Sequence, residues 1–196
     1  MTFVRTVAET EATGAVAEMY DRDRSSDDQV PNSTKAFSLR PDVYAAWLQL
    51  GAAIRANMDL RRYELATIAA ARRIRSSYCM LAHGSVLVDK FMEPARVRAL
   101  ADDFENADLD PLDLAVMVLA DKVAADATSV TGDDVERLRQ LGCSDEEIVD
   151  VVLAAALRCF FSKTLDGLGV QADARYSGLE LGLRDALTVG RPIAGG

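Results

Sequence analysis

The stretch Ser76-Ser77-Tyr78-Cys79-Met80-Leu81-Ala82-His83 concentrates the reactive side chains of this chain and holds its single histidine. On a helix, spacings of three and four residues bring side chains onto one face, so Ser76, Cys79 and His83 line up and thiol and imidazole become neighbours. Cysteine attacks as the thiolate, a form favoured by a nearby protonated imidazole and by the free N–H groups of a helix N-terminus. Ser76 or Ser77 is a natural N-cap, which puts Cys79 in the first turn.

Glu64 lies upstream, in the segment from Asp59 to Arg75. On a helical wheel it falls between Leu60, Ile68 and Ala71 within the apolar face, while Arg61, Arg62, Arg72 and Arg73 lie towards the other side. A carboxylate facing the core is costly without a partner, and a thiol–imidazole pair can use a proton acceptor. Each residue taken alone also has a plainer role: Cys79 as a core filler, His83 as a satisfied interior imidazole, Glu64 as a partner of Arg61 or Arg75. Their coincidence points to a catalytic site.

The elements that must hold these residues read as helices throughout. Glu9 to Tyr20 carries apolar residues at helical spacing, and the polar run Asp21 to Gln29 follows as a surface loop. Pro41 suits a first helical turn, and Val43, Trp47, Leu50, Ile54 and Met58 form its inner stripe. Asp59 caps the helix of Glu64, and the motif helix runs roughly from Ser77 to Lys90. Glu93-Pro94 and Asp110-Pro111 open two more, the latter with a Leu112, Val116, Leu119, Val123 stripe. Thr131 to Asp134 and Ser144 to Glu147 resemble capping boxes, separated by the helix-ending Gly142. Ile148, Val152, Ala155 and Cys159 read as one inner stripe, so Cys159 is core packing and Cys143 a loop residue. Beyond Phe160 the helix weakens, Tyr176 to Leu187 forms a last one, and the tail from Arg191 is loose. No segment alternates with the period of a strand, so the chain is all-α, a single domain over 1–196 with a first half to about 100 and a second from about 109 to 190.

At 196 residues and 49% hydrophobic, the chain buries a full core without metal or disulfide. Three scattered cysteines suit a reducing interior and predict a cytoplasmic location. No apolar run is long enough to span a bilayer. A net charge of −9 excludes nucleic acid and anionic membrane as partners unless a basic patch intervenes, and the arginines at 61, 62, 72, 73 and 75 read as a solvated face. One histidine and dispersed cysteines give no metal-site spacing, and Gly167-Leu168-Gly169 follows no strand, so no metal, nucleotide or flavin cofactor is expected.

Glu64, Cys79 and His83 at these separations resemble the motif of the carboxymuconolactone decarboxylase family, in its alkylhydroperoxidase D-like, peroxidase-related branch. Val30-Pro31, the stretch from Arg40-Pro41 to Trp47 and the run from Ala155 to Val170 are also similar, so the resemblance covers most of residues 30–170. It implies a helical fold of two related halves, assembly as a homo-oligomer (dimer, trimer or hexamer), and reduction of an organic hydroperoxide at the expense of a thiol. It also implies a pair of cysteines at the start of the motif helix with a Glu/His proton relay beside it. Glu64, Cys79 and His83 match by position; the first cysteine is replaced by Ser76. Serine forms no disulfide, which leaves a one-cysteine cycle in which an external thiol reduces the Cys79 sulfenate, unless Cys143 or Cys159 lies near enough to resolve it. Two alternatives remain open: acid–base chemistry on a small lactone, with Ser76 as a substrate hydrogen-bond donor, and a helical assembly module without turnover.

Overall fold

The computed structural model describes residues 2–24 and 28–195, and among them finds ten α-helices and no strand. They are α1 (Gly14–Asp23), α2 (Asn32–Ala36), α3 (Pro41–Arg55), α4 (Leu60–Arg73), α5 (Ser77–Lys90), α6 (Pro94–Asp103), α7 (Pro111–Asp126), α8 (Gly132–Gln140), α9 (Asp145–Gly167) and α10 (Leu181–Leu187). None of them is long and apolar enough to cross a membrane. Proline opens α3, α6 and α7 at the first position, where its missing N–H costs nothing. The side chains of Asp59, Asp110 and Ser144 accept backbone N–H groups at the starts of α4, α7 and α9. Both predicted capping boxes form, with Asp134 serving α8 and Glu147 serving α9.

The centre of the molecule is α4. It is buried without interruption from Tyr63 to Ala71, and it packs against α5, α7 and α9. A helix covered all round must be apolar all round. Ala66, Ala69, Ala70 and Ala71 meet that need with side chains small enough for three neighbours to approach. Glu64 is the one ionisable carboxylate in that buried run, and it is carried into the core because the whole helix is.

The arginines of α4 reach solvent, as expected, but each is also paired. Arg73 Nε reaches both carboxylate oxygens of Asp121 on α7 at 2.9 Å. Arg61 and Arg62 close over the buried Asp113 at the start of α7, and Arg72 donates to the backbone oxygens of Ala101 and Asp102 at the end of α6. The charges tie α4 to the elements around it.

Several sequence expectations need correction. The helix expected from Glu9 is a short 3₁₀ turn over Glu9–Glu11, and α1 then runs on to Asp23, into the expected loop. Residues 25–27 of that loop lie outside the described residues. The last part of α9 does not weaken, since the helix continues to Gly167. Leu50 and Val152, read as inner residues, are exposed; Tyr44, Gly51 and Ile54 bury on α3, and Val151, Ala155 and Arg158 on α9. The C-terminal tail is anchored: Ala194 N donates to Ala172 O at 2.8 Å, and Ile193 is buried.

Candidate active site

Cys79 occupies the first turn of α5, where backbone N–H groups have no helical acceptor, and is 1% exposed. The guanidinium of Arg158, on α9 and 3% exposed, donates from Nη1 to the Cys79 sulfur at 3.3 Å. Burial works against a charged Arg158. The Cys79 sulfur and the Tyr63 hydroxyl outweigh it and hold the guanidinium above its ordinary value. A permanent cation is thus fixed on the sulfur.

One turn along α5, His83 places Nδ1 against Glu64 Oε2 at 2.5 Å. A ring nitrogen facing a carboxylate carries the proton in the neutral imidazole, so Nδ1–H donates to Glu64 and Nε2 keeps its lone pair. Burial, followed by the charge of Arg158, lowers the His83 pKa from 6.5, and the Glu64 hydrogen bond only partly opposes this. The ring is therefore a neutral base at neutral pH. Tyr63 packs edge-on to it with ring centroids 6.3 Å apart.

Cys79, His83, Tyr63 and Arg158 all line one cavity of about 380 Å³. Five more aromatic residues share the wall with polar and small side chains, and Trp47 of α3 stacks on Phe161 of α9 with centroids 4.0 Å apart. Glu64 stands behind His83, outside the lining. The four groups from α4, α5 and α9 form two pairs, Glu64 with His83 and Arg158 with Cys79, and His83, Arg158 and Cys79 face the shared cavity.

Ser76 is placed elsewhere. It precedes α5 in the cap position, yet its side chain makes no capping bond. Its hydroxyl is buried, facing the Asp166 carboxyl without meeting it in hydrogen-bond geometry, and it does not line the cavity. Ser77 is the serine that works locally, accepting the Gly190 N–H at 2.7 Å. Cys143 sits in a separate recess with Met58 and Val116, and Cys159 is half-buried on α9; neither lines the Cys79 cavity, and burial pushes both thiols up.

The sequence reading missed Arg158 and Tyr63. A signal for Arg158 existed: it is the one charge in the otherwise apolar run from Val151 to Phe161. An isolated arginine in such a run is costly unless the fold gives it a partner.

No family model and no curated protein sequence matches the chain. Solved structures do. A peroxidase-related protein from Ralstonia eutropha JMP134, described as an alkylhydroperoxidase AhpD core, superposes with a TM-score of 0.81 at 20% identity, covering 89% of this chain and 94% of its own. A peroxidase-related protein from Silicibacter sp. TM1040 gives 0.76 at 18% identity, covering 91% and 98%. The debrominase Bmp8, in complex with 2,3,4-tribromopyrrole, gives 0.71 at 15% identity, covering 95% and 96%. The chain therefore has the alkylhydroperoxidase D-like fold of these peroxidase-related proteins.

Proposed function

We propose that this protein reduces organic hydroperoxides through Cys79 alone, with an external thiol as reductant. His83 Nε2 takes the Cys79 proton, and the resulting imidazolium is held by Glu64 while Arg158 holds the thiolate. The sulfur attacks one oxygen of ROOH; the S–O bond forms, the O–O bond breaks, and the departing alkoxide takes the proton back from His83 as ROH. One external thiol then converts the Cys79 sulfenic acid to a mixed disulfide and water. A second opens that disulfide, so two thiols are oxidised for each hydroperoxide reduced.

The observation that carries this reading is the buried Arg158 Nη1 at 3.3 Å from the Cys79 sulfur. A structural cysteine in a core has no use for a guanidinium, whereas a thiolate does. The fold does not choose the reaction, since the debrominase shares it. The peroxidase-related neighbours favour a hydroperoxide. Three unpaired cysteines fit a reducing cytoplasm. The exposed apolar stripe Val149, Val152, Leu153 and Phe160 on α9, with Leu50 on α3, fits assembly with further copies of the chain.

Treatment with one equivalent of cumene hydroperoxide in the presence of dimedone, a trap for sulfenic acid, is expected to label Cys79 and spare Cys143 and Cys159. Peptide mass spectrometry finding no label at Cys79 would overturn the proposal.

The relay makes its own prediction in pH. Because burial and Arg158 disfavour imidazolium, the acid limb of hydroperoxide consumption should fall below pH 6.5, the ordinary histidine value. Glu64 is the group that favours the proton on the ring. Glu64→Gln should therefore move that limb further down, not up, and slow turnover on the order of 100-fold by releasing the ring and weakening the base. A limb that moves upward would show that Glu64 does not serve His83.

A further inference from the structure

Accepting the cavity as the substrate site, we infer that its substrate is a small aromatic acid, a ring bearing one carboxylate, with the peroxide end directed at Cys79. The chain carries a net charge of −9, yet this cavity inverts that sign. Arg158 lies buried at its inner end, Arg55 and Arg175 are exposed where they line it, and Asp23 is its one carboxylate. None of the three arginines forms an ion pair among the described residues, although ten other arginines do.

The cavity is also short of acceptors. Asp23 is already committed: Oδ2 accepts from Tyr44 at 2.7 Å and from Thr34 at 2.9 Å, and Oδ1 accepts from Arg22 Nε at 2.8 Å. The Tyr78 hydroxyl is likewise spent on Asp173 at 2.6 Å. On the donor side, Arg158 Nε and Trp47 Nε1 are buried with no acceptor. Arg55 lies over the Tyr63 ring and Arg175 over the Tyr176 ring, Arg175 also donates to the Tyr176 hydroxyl, and the Asp173 carboxylate offsets Arg175 through space without an ion pair. Buried donors without acceptors are expensive. A ligand that brings acceptor oxygens and a negative charge satisfies them.

The shape argues for a ring. Tyr44, Trp47, Tyr63, Tyr78, Phe161 and Tyr176 supply flat walls, and about 380 Å³ lies at the small end for a ligand site. Planar faces stack against a planar ligand. The acid group would sit on Arg55 and Arg175, and the Arg158–Cys79 pair is left for chemistry. With no demand on turnover, the rim arginines then decide which molecules enter.

Titration calorimetry with benzoate and with its neutral isostere benzamide separates charge from shape. Benzoate should bind at least about 10-fold more tightly, the scale of one charge-assisted hydrogen bond. The double variant Arg55→Gln/Arg175→Gln, with its melting curve checked to confirm folding, should bring benzoate down to the benzamide level. Equal affinities, no heat with benzoate, or an unchanged benzoate affinity in the double variant would each overturn the inference. Dimedone capture reads the peroxidase chemistry separately. Labelling of Cys79 without benzoate preference removes only the substrate class, and benzoate preference without labelling removes only the reaction.

Discussion

Replacing Cys79 with serine is expected to lower thiol-dependent consumption of cumene hydroperoxide by about 1000-fold or more, the scale of losing a nucleophile. The variant should fold, because serine and cysteine are close in size and the position lies at a helix start, where a hydroxyl finds donors. Arg158 would lose its sulfur partner at 3.3 Å but keep Tyr63. Cys143→Ser and Cys159→Ser should each stay close to wild type, since neither thiol lines the cavity. The assay follows hydroperoxide loss with dithiothreitol as reductant. Retention of activity in Cys79→Ser would place the chemistry on another residue. A collapse in Cys159→Ser would mean that the second sulfur resolves the first.

The other large effect concerns stability. At Gly190 a Cβ atom would lie 2.1 Å from the carbonyl oxygen of Arg75. That oxygen is backbone and belongs to the tight link between α4 and α5, where Arg75 adopts a left-handed conformation (φ 59°). The segment is clamped from both sides: Gly190 N donates to Ser77 Oγ at 2.7 Å, and Arg75 Nε donates to Val189 O at 3.1 Å. Gly190→Ala should therefore cost about 3 kcal/mol, at the upper end for overpacking, because no flexible side chain can yield. Urea unfolding gives the loss directly. Ser77 stands two residues before Cys79, so the same substitution should also change the rate at which iodoacetamide alkylates that thiol. An alanine variant with an unshifted unfolding midpoint would show that the clamp has slack.

Much of the positioning was legible in the residues themselves. Proline and aspartate mark helix starts through local geometry, and the bounds expected for α5 match those observed although Ser76 makes no capping bond; the Glu64, Cys79, His83 spacing points to two neighbouring helices. What escaped depended on contacts across the chain. On α9, Val149, Val152, Leu153 and Phe160 are as apolar as the buried Ile148, Val151 and Ala155. Hydrophobicity alone could not say which face turns inward, and the face chosen hid Arg158. The arginines of α4 do reach solvent, but their pairing is hidden from the sequence because the carboxylate partners Asp113 and Asp121 lie on α7, some fifty positions later. The tail from Arg191 reads as loose, yet Ile193 is buried and Ala194 N donates to Ala172 O, a contact that no local residue pattern signals.

The depth of the sulfur sets a limit on whatever restores it. With Cys79 1% exposed in a recess of about 380 Å³, the proposed cycle favours a reductant small enough to enter over the active-site loop of a folded redox protein. In the proposed cycle a slim donor, such as a low-molecular-weight thiol, would follow the peroxide into the same cavity after the alcohol has left. Substrate and reductant become successive tenants of one chamber, and an excess of either should slow the other.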